Sequence, residues 1–145
     1  MTKRVTLQWQ GERHFVATDD TGNQVGINGP HPEGSRGMGA SHLLLSALGG
    51  CVGTTVIGVL EKKRQQVTAF EIEIVGEHLP DWPKTFTGIH LIYKITGIDV
   101  SMKAAERAVE LAETRYCTVS ASLAPPITRE IQIIPAAEGV AEPAG

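Results

Sequence analysis

The chain has 145 residues, of which 41% are hydrophobic and 20% charged, and its formal net charge is -3 at pH 7. These values are typical of one soluble globular domain, and a chain without a basic excess is not expected to bind nucleic acid. Two cysteines, far apart in the sequence, predict free thiols, and not a disulfide framework or a zinc site, so we expect neither a metal nor a cofactor.

The N-terminal segment MTKRVTLQWQ carries two basic residues but no apolar stretch, so it does not resemble a secretory signal, and we expect the protein in the cytoplasm. Beyond Lys3 and Arg4, apolar and polar residues alternate from Val5 to Trp9, which predicts a strand with one buried face. Two further strands follow, His14 to Thr18 and Gln24 to Ile27, separated by the turn sequence DDTGN. The chain therefore begins with a predicted antiparallel meander.

A long loop rich in glycine and proline, Asn28 to Ala40, leads into the apolar sequence SHLLLSALGGCVGTTVIGVL. We predict a helix that is capped by Ser41 and continues to about Arg64. Four glycines, and flanking strands that need one another, argue against a membrane span. A helix without charge on any side is expected to be buried on every side. The glycines predict that a helix or strand packs closely near Cys51. A partner subunit would bury the sides of the apolar helix that remain exposed.

The sequence of the second half of the chain predicts strands and helices, followed by a tail with few apolar residues. Charged residues, Glu113 among them, are expected on the water-facing side of the longer helix. The predicted elements are strands Thr68 to Glu77 and Phe86 to Thr96, a helix Ser101 to Arg115, a short helix Val119 to Leu123, a strand Thr128 to Ile134, and a disordered tail from Pro135 to Gly145. The expected fold is a single α+β domain over residues 1–134.

The two cysteines have different local settings. A lone cysteine in an apolar helix is often only a small hydrophobic residue, and Cys51, in mid-helix, receives no help from its own backbone. Cys117 stands where a helix is expected to begin, beside hydroxyl donors, so it is predicted to be the more acidic thiol. His42 lies nine positions before Cys51, about 13.5 Å along the axis and on the opposite side, and cannot share its site. His31 and Arg36, in the loop, are freer to reach the thiol.

The order of elements and two cysteine segments, GASHLLLSALGGC and RYCTVSASL, together resemble the OsmC/Ohr family, in its OsmC-like branch. The resemblance covers about Arg4 to Ile134. It implies an intertwined homodimer with the cysteine helices at its core, and thiol-dependent reduction of organic hydroperoxides. It also implies that Cys51 is the peroxidatic nucleophile and Cys117 the resolving thiol.

In that family an arginine, held by a glutamate, activates the first cysteine. Ser41 occupies the position of this glutamate, ten residues before Cys51, and serine cannot hold an arginine by a bidentate ion pair. Arg36 and Arg13 are the candidates for the arginine. Glu33, in the loop, is a candidate replacement for the acid.

The resemblance leads to a two-cysteine cycle in which Cys51 becomes a sulfenic acid, Cys117 condenses with it, and an external dithiol reduces the resulting disulfide. Two other hypotheses remain open. In the first, the protein is a module that binds a small apolar ligand or senses redox state. In the second, it is an acyl- or thiol-transfer enzyme with Cys51 as nucleophile.

Overall fold

The structure, a computed structural model, describes residues 1–29 and 37–137. It divides into two compact units, Met1–Leu44 and Leu45–Gly145. Its elements are β1 (Val5–Trp9), β2 (His14–Asp19), β3 (Gln24–Asn28), α1 (Ala40–Lys62), β4 (Gln66–His78), β5 (Phe86–Ile98), α2 (Met102–Leu111), a π-helical turn (Ala112–Tyr116), α3 (Thr118–Ser122) and β6 (Ile127–Pro135). The mixed α+β class predicted from the sequence is confirmed.

The first unit contains the predicted meander, an antiparallel sheet in the order β1-β2-β3. The turn between β2 and β3 forms because the Asp19 carboxylate accepts hydrogen bonds from the backbone of Thr21 and Asn23, at 2.8 and 2.9 Å. The expected buried face of β1 is not formed within the first unit. No other strand of this unit covers its apolar residues, which are exposed: Val5 (57%), Leu7 (52%) and Trp9 (65%).

The second unit contains a sheet in the order β4-β5-β6. β4 and β5 pair antiparallel over almost their whole length, and β5 pairs with β6 in parallel. The inward side chains of β5 are almost fully buried, and they pack in one core with residues of α1 and α2: Ile89, Leu91, Tyr93 and Ile95 with Leu48, Val52, Val56, Leu60, Ala105, Ala108 and Val109. This core holds the later part of α1 and the segment after α2 in fixed positions.

The helix α1 begins at Ala40, one residue before Ser41. Ser41 therefore lies in the first turn, and the prediction that it caps the helix is wrong by one residue. By length and composition alone α1 could cross a membrane, although a core helix of a soluble protein passes the same test. Only five of its residues are buried: Leu48, Gly49, Val52, Val56 and Leu60. The expectation of burial on every side is therefore wrong for a single chain.

The predicted close approach at the glycines is confirmed, and the approaching element is β4. A Cβ atom on Gly49 would come within 2.7 Å of the Ile74 side chain, and one on Gly53 within 3.2 Å of Ile72. A Cβ on Gly50 would meet no heavy atom within 4 Å in the described part of the chain. The side of α1 that carries Gly49 and Gly53 is thus packed against β4, and the side that carries Gly50 meets no described neighbour.

The single helix predicted from Ser101 to Arg115 is in fact two elements. Ser101 caps α2, accepting a hydrogen bond from the backbone N–H of Ala104. α2 then passes into the π-helical turn, which ends at Tyr116. Cys117 follows in an extended conformation and is the N-cap of α3. The final strand β6 extends to Pro135, so the predicted tail begins too early, and residues 138–145 of that tail lie outside the described residues.

Candidate functional site

The fold brings the two cysteines together, although about 66 residues separate them in the sequence. Cys51 lies in the middle of α1, and Cys117 lies between the π-helical turn and α3. Both are free thiols, and they lie close enough for each to shift the pKa of the other. Cys117 is 3% exposed, and Cys51 is partly exposed. The second unit therefore contains a dithiol that is accessible on the Cys51 side.

The backbone of α3 gives Cys117 a local stabilisation of negative charge. The backbone N–H of Ser120 donates to the Cys117 Sγ over 3.2 Å. Burial acts to raise the pKa of Cys117, but hydrogen bonds from the Cys51 thiol and from the side chain and backbone of Ser120 outweigh it and lower the pKa. The prediction from sequence that Cys117 is the more acidic thiol agrees with these contacts.

For Cys51, the effects that raise the pKa outweigh those that lower it. Burial raises its pKa, and the hydrogen bond and charge of Cys117 raise it further, while the backbone of Val119 and Thr118 acts weakly in the other direction. None of these groups is a cation. Within the described residues, the thiol that the resemblance makes the nucleophile is thus the one that holds its proton more firmly.

A buried carboxylate lies beside this dithiol, and the sequence analysis missed it. The Glu113 side chain, expected to face water, is only 7% exposed. It forms an ion pair with Arg129 and accepts a hydrogen bond from the Tyr93 hydroxyl at 3.0 Å. Glu113 comes four residues after the buried Val109 and eight after the buried Ala105, so it lies at the edge of the helix face that packs on β5. This spacing was the signal for it in the sequence.

Burial raises the pKa of Tyr93 far above its ordinary value, and the negative charge of Glu113 adds to the effect. Tyr93 therefore remains a neutral donor to Glu113 at any physiological pH. Ser120 links this cluster to the dithiol, because its hydroxyl donates to the backbone oxygens of Glu113 and Cys117, at 3.1 and 3.2 Å.

Two surface depressions lie near the site. One, of about 450 Å³, runs along the glycine side of α1 and is closed by Phe70, Ile72 and Ile74 of β4. The other, of about 750 Å³, lies between α2 and β6 and contains Glu113, Ser120 and Arg129 among its lining residues. The first is mostly apolar, with Ser46 and Thr54 as its polar lining residues. The second combines apolar walls with several carboxylates.

The described residues do not test either predicted arginine as a neighbour of Cys51. Arg13 lies in the first unit, immediately before β2, where its carbonyl accepts a hydrogen bond from Gly29 at 2.8 Å. Arg36, together with His31 and Glu33, lies outside the described residues. Among residues 1–29 and 37–137, no three metal-binding side chains cluster as a metal site.

Comparisons with known proteins agree on one family. The sequence profile of the OsmC-like protein family matches residues 32–132. Protein YhfA of Escherichia coli (strain K12) is 30% identical over 132 residues, which cover 90% of this chain and 97% of YhfA.

Solved structures share the fold over almost the whole chain. A hypothetical protein from Aquifex aeolicus has a TM-score of 0.83 at 27% identity, covering 94% of this chain and 99% of that one. The organic hydroperoxide resistance protein OhrB of Bacillus subtilis has a TM-score of 0.58 at 20% identity, covering 92% and 98%. The match to the family profile over residues 32–132 and the likeness to YhfA are enough to assign the chain, which belongs to the OsmC-like protein family.

Proposed function

We propose that the protein reduces organic hydroperoxides through a cycle of two cysteines. The observation that carries the proposal is the proximity of Cys51 and Cys117, each of which shifts the pKa of the other, because neighbouring thiols can be oxidised to a disulfide and reduced again by exchange. Solved structures of the same fold include proteins described as organic hydroperoxide resistance proteins, which supports the choice of substrate class.

In the proposed cycle, the Cys51 thiolate attacks the distal peroxide oxygen, the O–O bond breaks, and Cys51 becomes a sulfenic acid. Cys117 then attacks the Cys51 sulfur and displaces the hydroxyl group, forming a disulfide. An external dithiol returns both residues to thiols. The apolar depression beside Gly50 and Gly53 suits the alkyl part of the substrate, because ligand sites are predominantly apolar.

The arginine that would assist Cys51 remains part of the proposal, with Arg36 and Arg13 as its candidates. Replacing each by alanine separates them, because only the variant that removes the activating cation should slow the reaction of Cys51 with peroxide. Equal rates in both variants and in the unmodified protein would mean that neither arginine acts.

We further propose that the protein is a cytoplasmic homodimer. Few residues of α1 are buried, and the apolar residues of β1 are exposed within the first unit, so a second copy would bury these apolar surfaces. Analytical ultracentrifugation at micromolar concentration should give twice the chain mass, and a single-chain mass would contradict the dimer.

A second candidate function is a binding or sensing protein without significant turnover. The raised pKa of Cys51 favours it, because a protonated thiol reacts slowly. Steady-state reduction of cumene hydroperoxide with an added dithiol distinguishes the two. The peroxidase proposal predicts turnover that Cys51→Ser abolishes; turnover that is unchanged in Cys51→Ser would refute it, and no turnover in the unmodified protein would favour the binding function.

A further inference from the structure

Ser120 contacts both Cys117 and the π-helical turn, through its backbone and through its side chain. Its backbone N–H donates to the Cys117 Sγ over 3.2 Å. Its hydroxyl donates to the carbonyl oxygens of Glu113 and Cys117, at 3.1 and 3.2 Å. The residue that gives a hydrogen bond to the sulfur is thus itself tied to the turn that precedes Cys117.

This tie supports a helix that is too short to be stable alone. The helix α3 has five residues, none of them buried, and backbone hydrogen bonds by themselves do not hold a helix of this length. At the other end of the tie, the buried side chain of Glu113 is paired with Arg129 and accepts a hydrogen bond from Tyr93 at 3.0 Å. The Ser120 hydroxyl therefore connects the first turn of α3 to a residue that is anchored on the core.

We propose that Ser120 is a positioning residue for Cys117, which keeps a backbone N–H on the Cys117 sulfur and so favours its thiolate in both halves of the redox cycle. The proposal rests on the two-cysteine cycle proposed above. Hydrogen bonds to a charged sulfur favour the charged form. The direction of the pKa agrees with the contacts, because the side chain and the backbone of Ser120 both lower the pKa of Cys117.

The thiolate of Cys117 acts as a nucleophile when the disulfide forms. It attacks the sulfur of the Cys51 sulfenic acid, an S–S bond forms, the S–O bond breaks, and the departing hydroxide takes a proton from solvent. A thiol of lower pKa is intrinsically less nucleophilic, but at neutral pH the gain in thiolate fraction outweighs this loss. Ser120 should therefore speed this step at neutral pH and not at alkaline pH.

The same thiolate is the leaving group when the disulfide is reduced. Cys117 is 3% exposed and Cys51 is partly exposed, so the thiolate of an external dithiol attacks the Cys51 sulfur. A new S–S bond forms, the Cys51–Cys117 bond breaks, and the electron pair leaves on Cys117. The second thiol of the reductant then attacks this mixed disulfide, which releases the Cys51 thiolate and leaves the reductant as a disulfide.

The titratable and charged groups near Cys117, among the described residues, come from four elements. They are Cys51 of α1, Tyr93 of β5, Glu113 of the π-helical turn and its ion-pair partner Arg129 of β6. Substitutions of Ser120 change none of these groups. A difference in the titration of Cys117 between two variants of Ser120 therefore reports what the Ser120 hydroxyl does.

The first test needs no peroxide. In Cys51→Ser, Cys117 is the single remaining thiol, and the absorbance of its thiolate at 240 nm is followed between pH 5 and 10. Adding Ser120→Ala should move this titration to higher pH. Ser122→Ala is the matched control, because its hydroxyl donates to the Thr118 carbonyl at 2.8 Å within the same short helix. Equal titrations in all of these proteins, or equal movements in the two serine variants, would overturn the proposal.

An isosteric pair keeps this test decisive if alanine at position 120 prevents folding. Ser120→Thr keeps a hydroxyl, and Ser120→Val has the same shape without one. We expect the threonine variant to titrate like the unmodified residue and the valine variant to titrate at higher pH. If the two titrate alike, the hydroxyl does not hold the charge on Cys117, and the proposal is wrong.

The second test follows the conversion of the sulfenic acid to the disulfide after one equivalent of cumene hydroperoxide, by rapid quench and mass spectrometry. At pH 7 we expect Ser120→Ala to be about two- to tenfold slower, the effect of one hydrogen bond, and to reach the unmodified rate near pH 10. More sulfenic acid should then be trapped by dimedone on Cys51. A rate reduced by the same factor at every pH would show a displaced sulfur and contradict the charge-holding role.

The outcomes separate this proposal from the function on which it rests. An unmodified protein that forms no disulfide with the hydroperoxide refutes the two-cysteine cycle, and with it the role of Ser120 in that cycle. An unmodified protein that forms the disulfide, together with a Ser120→Ala variant that is unchanged in both tests, keeps the cycle and removes only the role of Ser120.

Discussion

The segment of α1 around Cys51 and the segment from the π-helical turn to α3 around Cys117 present the same side chain in two different backbones. In mid-helix the backbone N–H groups are already used by the helix, so Cys51 depends on what other elements supply. At the start of α3 the N–H of Ser120 is available, and it donates to Cys117. The difference teaches that the backbone and side-chain donors around each thiol help to set its pKa.

The largest expected effect comes from joining the two segments covalently. A Cys51–Cys117 disulfide closes a loop of about 66 residues, which the chain-entropy relation values at about 4 kcal/mol in the free energy of unfolding. We expect the oxidised protein to melt roughly 10 °C higher than the reduced protein. Scanning calorimetry of both forms checks this, with Cys117→Ser as the control that should show no such increase on oxidation.

Removing Glu113 should damage the Cys117 segment. Glu113→Ala leaves the fully buried Tyr93 hydroxyl without its acceptor, at a cost of about 2–3 kcal/mol in the free energy of unfolding. Glu110→Ala is the matched control. Its ion pair with Arg107 is on the surface and is worth less than about 1 kcal/mol. Urea unfolding of the two variants should differ clearly, and equal stabilities would show that the buried contact with Tyr93 contributes little.

Two glycines beside Cys51 provide the corresponding test of the α1 segment. Gly49→Ala places a methyl group against Ile74 and should cost about 1–3 kcal/mol within each chain. Gly50→Ala meets no described neighbour of its own chain, so its effect should appear as weaker dimerisation in ultracentrifugation. If Gly50→Ala instead leaves the dimer unchanged and stabilises the chain by about 1 kcal/mol, as expected at an open helical glycine, the second copy does not pack there.

The smallest expected effect is a dependence of stability on pH. Because the folded pKa of Cys117 is lowered from its ordinary value near 9.0, its thiolate stabilises the reduced protein fully above that value. The contribution is lost as the pH falls through the folded pKa. The difference in urea midpoint between the unmodified protein and Cys117→Ser should therefore grow in favour of the unmodified protein as the pH rises from 6 to 9.5. A difference that shrinks over this range would give the opposite sign.

The sequence was sufficient for the elements with clear periodicity. The alternation in β4 and β5 and the stripe along α2 identified those elements, because each buries one face in the core of its own unit. It was insufficient at Glu113, which was expected to face water but accepts a hydrogen bond from Tyr93. The apolar character of α1 predicted that every side of the helix is buried. It could not show that a single chain buries only one side of it.

The candidate site was predictable in part. Cys51 and Cys117 stood out in the sequence, and the cap at Cys117 followed from the break between helices. Their contact depends on how α1 and α3 pack, and no local pattern encodes this packing. Arg129 could not be singled out, because its partner Glu113 is distant in sequence and was expected to face solvent.

The most direct test of the account is a thiol count after treatment of the reduced native protein with a small molar excess of cumene hydroperoxide, followed by peptide mass spectrometry without reductant. We predict no free thiol per chain and a disulfide that links Cys51 to Cys117. Two free thiols per chain after this treatment would contradict the two-cysteine cycle.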